Sequence, residues 1–405
     1  MSLGLYISVP FCRTKCSYCN FASDVFSRAV FERYVERVTA DIHQAAETAE
    51  QMGGAWESSL DSIFLGGGTP TILDIAQLER IFVTISQKFA VQSGTEITVE
   101  CAPGTLSPAM IDGLRRCGVN RVSLGVQSFV DLEAASVGRL HKRSTVLEEI
   151  ARLRAAGIAN INLDLIAGLP HQTAESWEFS IAEAIATGVP HLSVYILEVD
   201  EDSRLGRELM AGGTRYHAHF VPDDELTADL YETACERLQA AGLHQYEISN
   251  FAWPGQESRH NLKYWTRQPY LGFGVDAHSM LISASKKTEA VRFAAPDSLE
   301  EYVAARSPQK ILVPAPAALE ETFFLGLRLN RGVNLKQVET DFGESIPEPF
   351  SDAIQECLRS GLLERADDVI RLTPRGRLLS NEVFERFILN PTPVPCGTDT
   401  PVRRL

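Results

Sequence analysis

An α/β fold built on a parallel sheet is predicted by the sequence, on three observations. Over the first three-quarters of the 405 residues, short β-rich runs alternate with amphipathic helical runs. Six strand-like runs occur there, five of them preceded by a helical one, the alternation that a parallel sheet with covering helices produces. The 44% apolar and 22% charged content is that of an ordinary globular chain long enough for a large core and an appendage. A barrel-like (β/α)6 arrangement and an open doubly wound sheet are both compatible with six such units.

The first strand is Leu3–Val9, LGLYISV, rich in β-formers. A helical stretch from about Arg28 to Met52 follows a cysteine-bearing loop. Asp61–Leu65 is a short apolar strand ending at GGGTPT. Ile75, Leu78, Ile81, Phe82, Ile85 and Phe89 then share one face of a helix. Thr95–Glu100 alternates as a strand, and the next helix has Ser107 as N-cap, Pro108 in its first turn and Gly118 at its end. VNRVSLGVQ reads as strand, STVLEEIARLRAAG as helix, ANINLDLIAGLP as strand, TAESWEFSIAEAIATG as helix and PHLSVYILE as strand. Both candidate architectures bind ligands at the carboxyl ends of their strands. There lie the cysteine loop, Gly66–Thr69, Glu100, Gln127, Asp164 and Glu198. Charges seldom sit at buried strand ends without a partner, so these point to one site, although any one of them could simply cap a neighbouring helix.

Past Val199 the pattern breaks into a loop with a short helix. A helix from Asp224 to Ala241 and a strand HQYEISN follow, then the aromatic, irregular stretch RHNLKYWTRQPYLGFGVDAHS. Pro314 and Pro316 mark a linker, beyond which short helices, a β-hairpin and a final helix form a winged-helix-like α+β pattern. The expected division is a core over 1–250, a connecting segment over 251–315, the small domain over 316–390 and a disordered tail over 391–405. A formal charge of −15 and the lack of a basic recognition helix argue against nucleic acid. No apolar run approaches the roughly 18–20 residues that span a bilayer, and the first residues lack the charged start and cleavage site of a signal peptide. A cytoplasmic location is expected, where eight cysteines are free or metal-bound rather than paired.

Cys12, Cys16 and Cys19 form C-x3-C-x2-C on one short loop, with Phe21 where a fourth cysteine could stand. Zinc prefers four ligands, usually in paired C-x2-C units, and no second pair occurs; zinc with a distant fourth ligand stays open as an alternative. A [4Fe–4S] cube held by three cysteines keeps one iron free to bind a substrate or cofactor. Cys101, Cys117, Cys235, Cys357 and Cys396 are scattered and read as small core residues.

The C-x3-C-x2-C loop with Tyr18 before its last cysteine, followed by GGGTPT after the second strand, resembles the radical S-adenosylmethionine superfamily. YISVPFCRTKCSYCNF, FLGGGTPT, VSLGVQSF, NLDLIAGLPHQT and HNLKYW together resemble its oxygen-independent coproporphyrinogen III oxidase group, and most closely the haem chaperones of that group. The resemblance covers nearly the whole chain and implies a partial (β/α)6 barrel. It implies a [4Fe–4S] cluster on Cys12, Cys16 and Cys19. S-adenosylmethionine would lie on the open iron, at Tyr6, Gly67, Glu100 and the backbone around Tyr18. Gly68, Thr69, Gln127, Arg139 and Asp164 match positions that hold a second such molecule in the oxidase. His260, in R-H-N-L-K-Y-W, becomes a candidate axial haem ligand, with Tyr264 and Trp265 to pack on a porphyrin; His217, His219 and His278 are lesser candidates. The implied function is to bind haem and deliver it to respiratory-chain proteins, with peripheral membrane contact and a homodimer as further expectations. The alternative is the oxidase reaction itself, coproporphyrinogen III to protoporphyrinogen IX. The oxidase motif continues C-x3-C-x2-C-x-C and is preceded by an N-terminal extension; Phe21 and a first strand that begins at Leu3 depart from both and favour the chaperone.

Overall fold

The computed structural model describes residues 2–305, 308–343 and 345–389. The tail expected over 391–405 lies outside the described residues. Two compact units form, Met1–Leu312 and Val313–Leu405.

In the first unit β1 (Leu3–Val9), β2 (Ser59–Gly67), β3 (Ala90–Cys101), β4 (Arg121–Gln127), β5 (Asn160–Ala167) and β6 (His191–Ile196) lie side by side in chain order, all parallel. That order separates the two architectures left open by the sequence. A doubly wound sheet reverses its strand order partway, so that right-handed crossovers cover both faces. An order that never reverses keeps the crossover helices on one face and leaves the other to line a lumen, as in a barrel. The strand side chains divide accordingly. Leu5, Ile7, Leu65, Val99, Leu124, Leu163 and Val194 are fully buried and apolar. On the opposite face Ser8, Ser62, Thr98, Ser123, Asn162 and Ser193 are buried and polar. A parallel strand buried on both faces is ordinarily apolar throughout; the polar alternation here marks a hydrogen-bonding lumen.

The sheet extends at both margins. β8 (Asn250–Ala252) adds antiparallel to β6, and β7 (His244–Gln245) pairs antiparallel with β8 at the outer edge, with a turn between them. The single strand expected over His244–Asn250 is therefore two short ones. β9 (Tyr270–Gly274) pairs parallel with β1, and β10 (His278–Ile282), β11 (Ala290–Ala294) and β12 (Gln309–Val313) follow outward. The stretch 251–315, expected as an irregular connector, thus supplies a helix, Arg259–Trp265, and the strands that close one margin of the main sheet. The helix is started by Ser258, whose hydroxyl accepts the Asn261 N–H, and by Glu96 of β3, whose carboxylate accepts the N–H groups of Arg259 and His260 at 3.1 Å each. A carboxylate at a helix start is favoured by the unpaired N–H groups and the dipole there. That carboxylate lies 164 residues upstream of His260, beyond the reach of local pattern reading.

Lys263 of this helix is 2% exposed, and its Nζ lies 2.8 Å from Asp61 Oδ1 and 2.8 Å from the Ser2 carbonyl. Removing one member of a buried pair strands the other charge. Lys263→Ala is expected to lower stability by about 2–3 kcal/mol, somewhat under the range for a fully buried pair because Asp61 keeps 34% of its side-chain surface in water. The midpoint of urea unfolding measures it.

The second unit is α+β. Helices Ala315–Gly326, Leu335–Phe342 and Glu348–Arg359 precede a hairpin of β14 (Leu363–Ala366) and β15 (Val369–Leu372), to which the short β13 (Val333–Asn334) adds. The rings of Phe350 and Phe387 flank Phe323 at 5.0 and 5.1 Å and form the centre of its core.

Candidate functional site

The cysteine loop leaves β1 at the carboxyl end of the sheet. Its ends are pinned together: the Cys12 N–H donates to the Asp24 carbonyl and the Asp24 N–H to that of Pro10, both at 3.0 Å. Phe11, fully buried, stacks on Phe31 at 4.0 Å and anchors the root of the loop in the helical layer. Lys15 Nζ bonds the carbonyls of Phe21 and Ser23 across it. Two further segments hold its tip, through Ser17 N–H to Val137 carbonyl at 3.2 Å and Leu205 N–H to Ser17 carbonyl at 2.8 Å. Tyr18 packs with Val137, Ile166, Leu169 and Leu197.

All three thiols are free; Cys16 is buried and the other two are half-buried. Burial pushes the Cys12 thiol up, offset in part by the Ser23 and Thr69 hydroxyls that face it. Burial also raises Cys19, opposed by a hydrogen bond from the Phe21 backbone. Arg139 places Nη1 3.6 Å from Cys16 Sγ, bonds the Gly125 carbonyl through Nη2, and leaves Nε buried without a hydrogen-bond partner. A fixed cation thus stands where three thiolates would concentrate negative charge. Among the described residues no three His, Cys, Asp or Glu side chains converge tightly enough to grip a single metal ion. Phe21 is 53% exposed.

Gly67 and Gly68 carry the second strand into this region. The Gly68 N–H donates to the Val9 carbonyl at 2.8 Å and the Thr69 N–H to the Phe11 carbonyl at 2.7 Å, lacing the glycine loop to the base of the cysteine loop. A Cβ on Gly68 would sit 2.7 Å from the Phe11 carbonyl oxygen and 2.8 Å from that of Val9, both backbone atoms. Gly67 has φ 93°, which an L side chain rarely adopts. Gly68→Ala is therefore expected to spread the two loops and lose most of the bound iron on reconstitution. Iron analysis of the folded variant beside wild type decides it; full iron content would show that the close approach is dispensable.

Glu100 closes β3 facing the lumen rather than bulk solvent. Burial pushes its carboxyl up to about 8, with the neighbouring Asp164 adding to the shift and the Gly67 N–H opposing it. Asp164 is raised by burial and relieved by hydrogen bonds: Ser123 Oγ donates to it at 3.0 Å and Asn162 Nδ2 at 2.7 Å. Gln127, with φ 69° and a buried amide oxygen lacking a hydrogen-bond partner, holds the kind of strained, unsatisfied geometry that clusters at binding sites. Tyr6 lies one layer down, its hydroxyl pKa raised by burial and by Glu100. The expected nucleotide positions therefore do converge around the lumen mouth. Two of them turn toward the cysteine loop instead: Thr69 faces Cys12, and Arg139 faces Cys16.

His260, the expected axial haem ligand, is buried on the Arg259–Trp265 helix. Its ring is 1% exposed, Nδ1 lies 3.0 Å from Ser62 Oγ, Nε2 lies 2.8 Å from Tyr264 Oη, and burial lowers its pKa to about 3. It stacks on Phe64 at 5.3 Å and lies 6.3 Å from Tyr6. Both ring nitrogens of this histidine thus face neighbouring side chains. Tyr264 and Trp265, expected against a porphyrin, belong to the same packed helix, where Tyr264 meets Tyr270 edge-on at 4.6 Å. His278 is half-exposed beside Asp276, at the start of β10.

The sequence reading missed a polar floor. His191, fully buried, bonds Asn162 through Nδ1 at 2.6 Å and the Tyr246 hydroxyl through Nε2 at 3.0 Å; Ser193 bridges Asn162 and Asn250. Arg121, 2% exposed, adds a cation that influences Glu100, Asp164 and His260 alike. The signal that could have found these residues is the polar–apolar alternation in β4, β5 and β6.

A parallel partial barrel with a three-thiol loop and a glycine loop laced together at its mouth defines a radical S-adenosylmethionine protein. A model of that superfamily matches residues 6–184, and one of the HemN C-terminal domain matches residues 313–379. Heme chaperone HemW of Bacillus subtilis is 36% identical over 388 residues, 95% of this chain and 98% of the relative; the Escherichia coli HemW is 30% identical over 398 residues, again 95% and 98%. The solved structure of Escherichia coli coproporphyrinogen III oxidase, HemN, superposes with a TM-score of 0.79 at 22% identity, covering 95% of this chain and 90% of that one. The chain belongs to the HemW family, HemN-like members of the radical S-adenosylmethionine superfamily. Membership brings with it an iron–sulfur cluster and S-adenosylmethionine, and the residues at the mouth fit both. Among the described residues no helix is long and apolar enough to cross a membrane.

Proposed function

We propose that this protein is a haem carrier that uses its radical S-adenosylmethionine architecture to hold a [4Fe–4S] cluster on Cys12, Cys16 and Cys19 and to pass haem to respiratory-chain acceptors. The observation that carries the cluster assignment is the three-thiol loop itself, with Arg139 beside Cys16 and an exposed Phe21, not a fourth sulfur, two residues past Cys19. The open iron would chelate S-adenosylmethionine. This chain's own residues would then bind and orient it: the carboxylate of Glu100 and the backbone of Gly67 receive a cationic amine, and Tyr6 walls the cleft. Haem enters the reading through the likeness to heme chaperones over 95% of the chain. Peripheral membrane contact, a cytoplasmic setting and a homodimer belong to the same reading.

The test is anaerobic reconstitution. The electron-paramagnetic-resonance signal of the reduced cluster should shift on addition of S-adenosylmethionine, and hemin should develop a Soret band on the protein. A second reading, coproporphyrinogen oxidation, is favoured by the presence at the mouth of Gly68, Gln127 and Asp164, which match the oxidase's second nucleotide site. Formation of protoporphyrinogen from coproporphyrinogen III by the reconstituted protein would establish that reading and remove the first.

A further inference from the structure

The cysteine loop carries two serines whose hydroxyls are buried without a hydrogen-bond partner among the described residues. Ser17 and Ser23 are each 4% exposed, and neither Oγ is paired. The backbone leaves Ser23 little freedom. Its N–H donates to the Phe21 carbonyl at 2.7 Å, and its carbonyl accepts Lys15 Nζ at 2.6 Å. The next residue, Asp24, is bridged to Phe11 and pairs with Cys12 and Pro10 through both of its backbone groups, at 3.0 Å each. That pairing sets Ser23 beside Cys12, and the Ser23 hydroxyl faces the Cys12 sulfur.

A buried hydroxyl without a partner costs free energy that an alanine of nearly the same size would not. A neutral thiol is a weak acceptor and recovers little of that cost. A thiolate is a charged acceptor and takes a far stronger hydrogen bond. Cysteine on iron is a thiolate, so the Ser23 hydroxyl acquires its acceptor together with the metal. The other two cysteines each have a donor of their own. Arg139 Nη1 lies 3.6 Å from Cys16 Sγ, and the Phe21 backbone N–H faces Cys19. Thr69 also faces Cys12, from the glycine loop. Thr69 is one of the positions that match the oxidase's second nucleotide site; Ser23 belongs to no such set.

We propose that Ser23 is a positioning residue for the cluster: its hydroxyl donates to the Cys12 thiolate and raises the midpoint potential of the [4Fe–4S] group. The inference rests on the assignment of the cluster to Cys12, Cys16 and Cys19. Reduction from the 2+ to the 1+ state adds one electron and moves no proton. Part of the added negative charge falls on the thiolate sulfurs, and hydrogen bonds to those sulfurs are among the levers that set the potential. A donor at Cys12 favours the more negative, reduced state. Removing it therefore makes the cluster harder to reduce. The backbone clamps on either side of Ser23 do not use the hydroxyl, so the loop keeps its shape without it.

A redox titration of the reconstituted full chain, with dithionite as the electron source and the reduced-cluster electron-paramagnetic-resonance signal as readout, tests the inference. Iron and sulfide analysis accompanies each sample. Ser23→Ala should keep wild-type iron content. At the wild-type midpoint its ratio of reduced to oxidised cluster should be about tenfold smaller, a fall of about 59 mV for one electron. Ser23→Thr retains a hydroxyl and should titrate as wild type. Electron–nuclear double resonance in deuterated buffer should show one exchangeable proton fewer near the cluster in Ser23→Ala than in Ser23→Thr. An unchanged potential in Ser23→Ala with full iron content would overturn the inference and leave the cluster assignment in force. Equal shifts in the two variants would also overturn it, because packing and not the hydroxyl would then be responsible. Loss of the cluster from Ser23→Ala would overturn it as well, since the side chain would then hold the loop rather than set the potential. A wild-type protein that assembles no cluster would overturn the assignment and the inference together.

Discussion

Serine at Cys12, Cys16 or Cys19 is expected to abolish the iron–sulfur chromophore, with bound iron falling from about four per chain toward none. The single-site effect is large because, on the proposed reading, the cluster rests on these three thiolates. A hydroxyl of ordinary pKa does not replace a thiolate on iron, and two remaining thiolates cannot hold the cube. The loop supplies no reserve: Cys101, the other fully buried thiol of the first unit, lies on the helix side of β3, and Phe21 occupies the neighbouring position where the oxidase motif has sulfur. The fold should survive, since Phe11, the Cys12–Asp24 backbone pairing and the Lys15 clamp hold the loop without using a thiol. Iron and sulfide analysis with circular dichroism on the same samples measures both halves. A serine variant that keeps a full-intensity cluster would remove that cysteine from the ligand set.

Glu100→Gln is expected to weaken S-adenosylmethionine binding by about ten- to a hundredfold and, separately, to change how stability depends on pH. The first effect follows from removing the lumen's carboxylate opposite a cationic amine; calorimetric titration of the cluster-loaded protein measures it. The second follows from the raised pKa. A carboxyl near 8 in the fold and near 4.5 in the unfolded chain binds more protons when folded at every pH between. Its contribution to stability is complete below about 4.5 and is lost as pH rises through about 8. The ligand-free wild-type protein should therefore lose stability across that window, by on the order of 1–3 kcal/mol once lumen water is allowed for. Glutamine cannot ionise, so the variant should show a flatter profile and exceed wild type at pH 8. Identical pH profiles would mean that Glu100 titrates as an ordinary exposed carboxyl.

Much of the first unit was legible because its elements carry their own signals. Leu3–Val9 appears as a strand with the bounds read from the sequence, and the helix opening at Ser107–Pro108 is capped by the Ser107 hydroxyl as its residues imply. The helix expected without interruption from Arg28 to Met52 breaks at Gln44, whose backbone leaves the helical region with no glycine or proline to announce it. The Arg259–Trp265 helix stayed hidden because its cap comes from Glu96 of β3, 164 residues upstream of His260. At the site, the cysteine trio was readable from spacing alone. The surroundings of His260 were not: a motif names the residue, but only the fold shows that Ser62 and Tyr264 face its nitrogens.

By itself, then, the chain's order of residues determined the βα repeat, the three-sulfur loop, the glycine turn and the small α+β unit, since each depends on neighbours a few positions away. Only the tertiary structure decided that the strands run in unreversed order around a polar lumen, that Arg139 lies beside Cys16, and that Ser62 and Tyr264 face His260. Those outcomes depend on which distant side chains burial brings within hydrogen-bonding range, and short-range patterns carry no record of that.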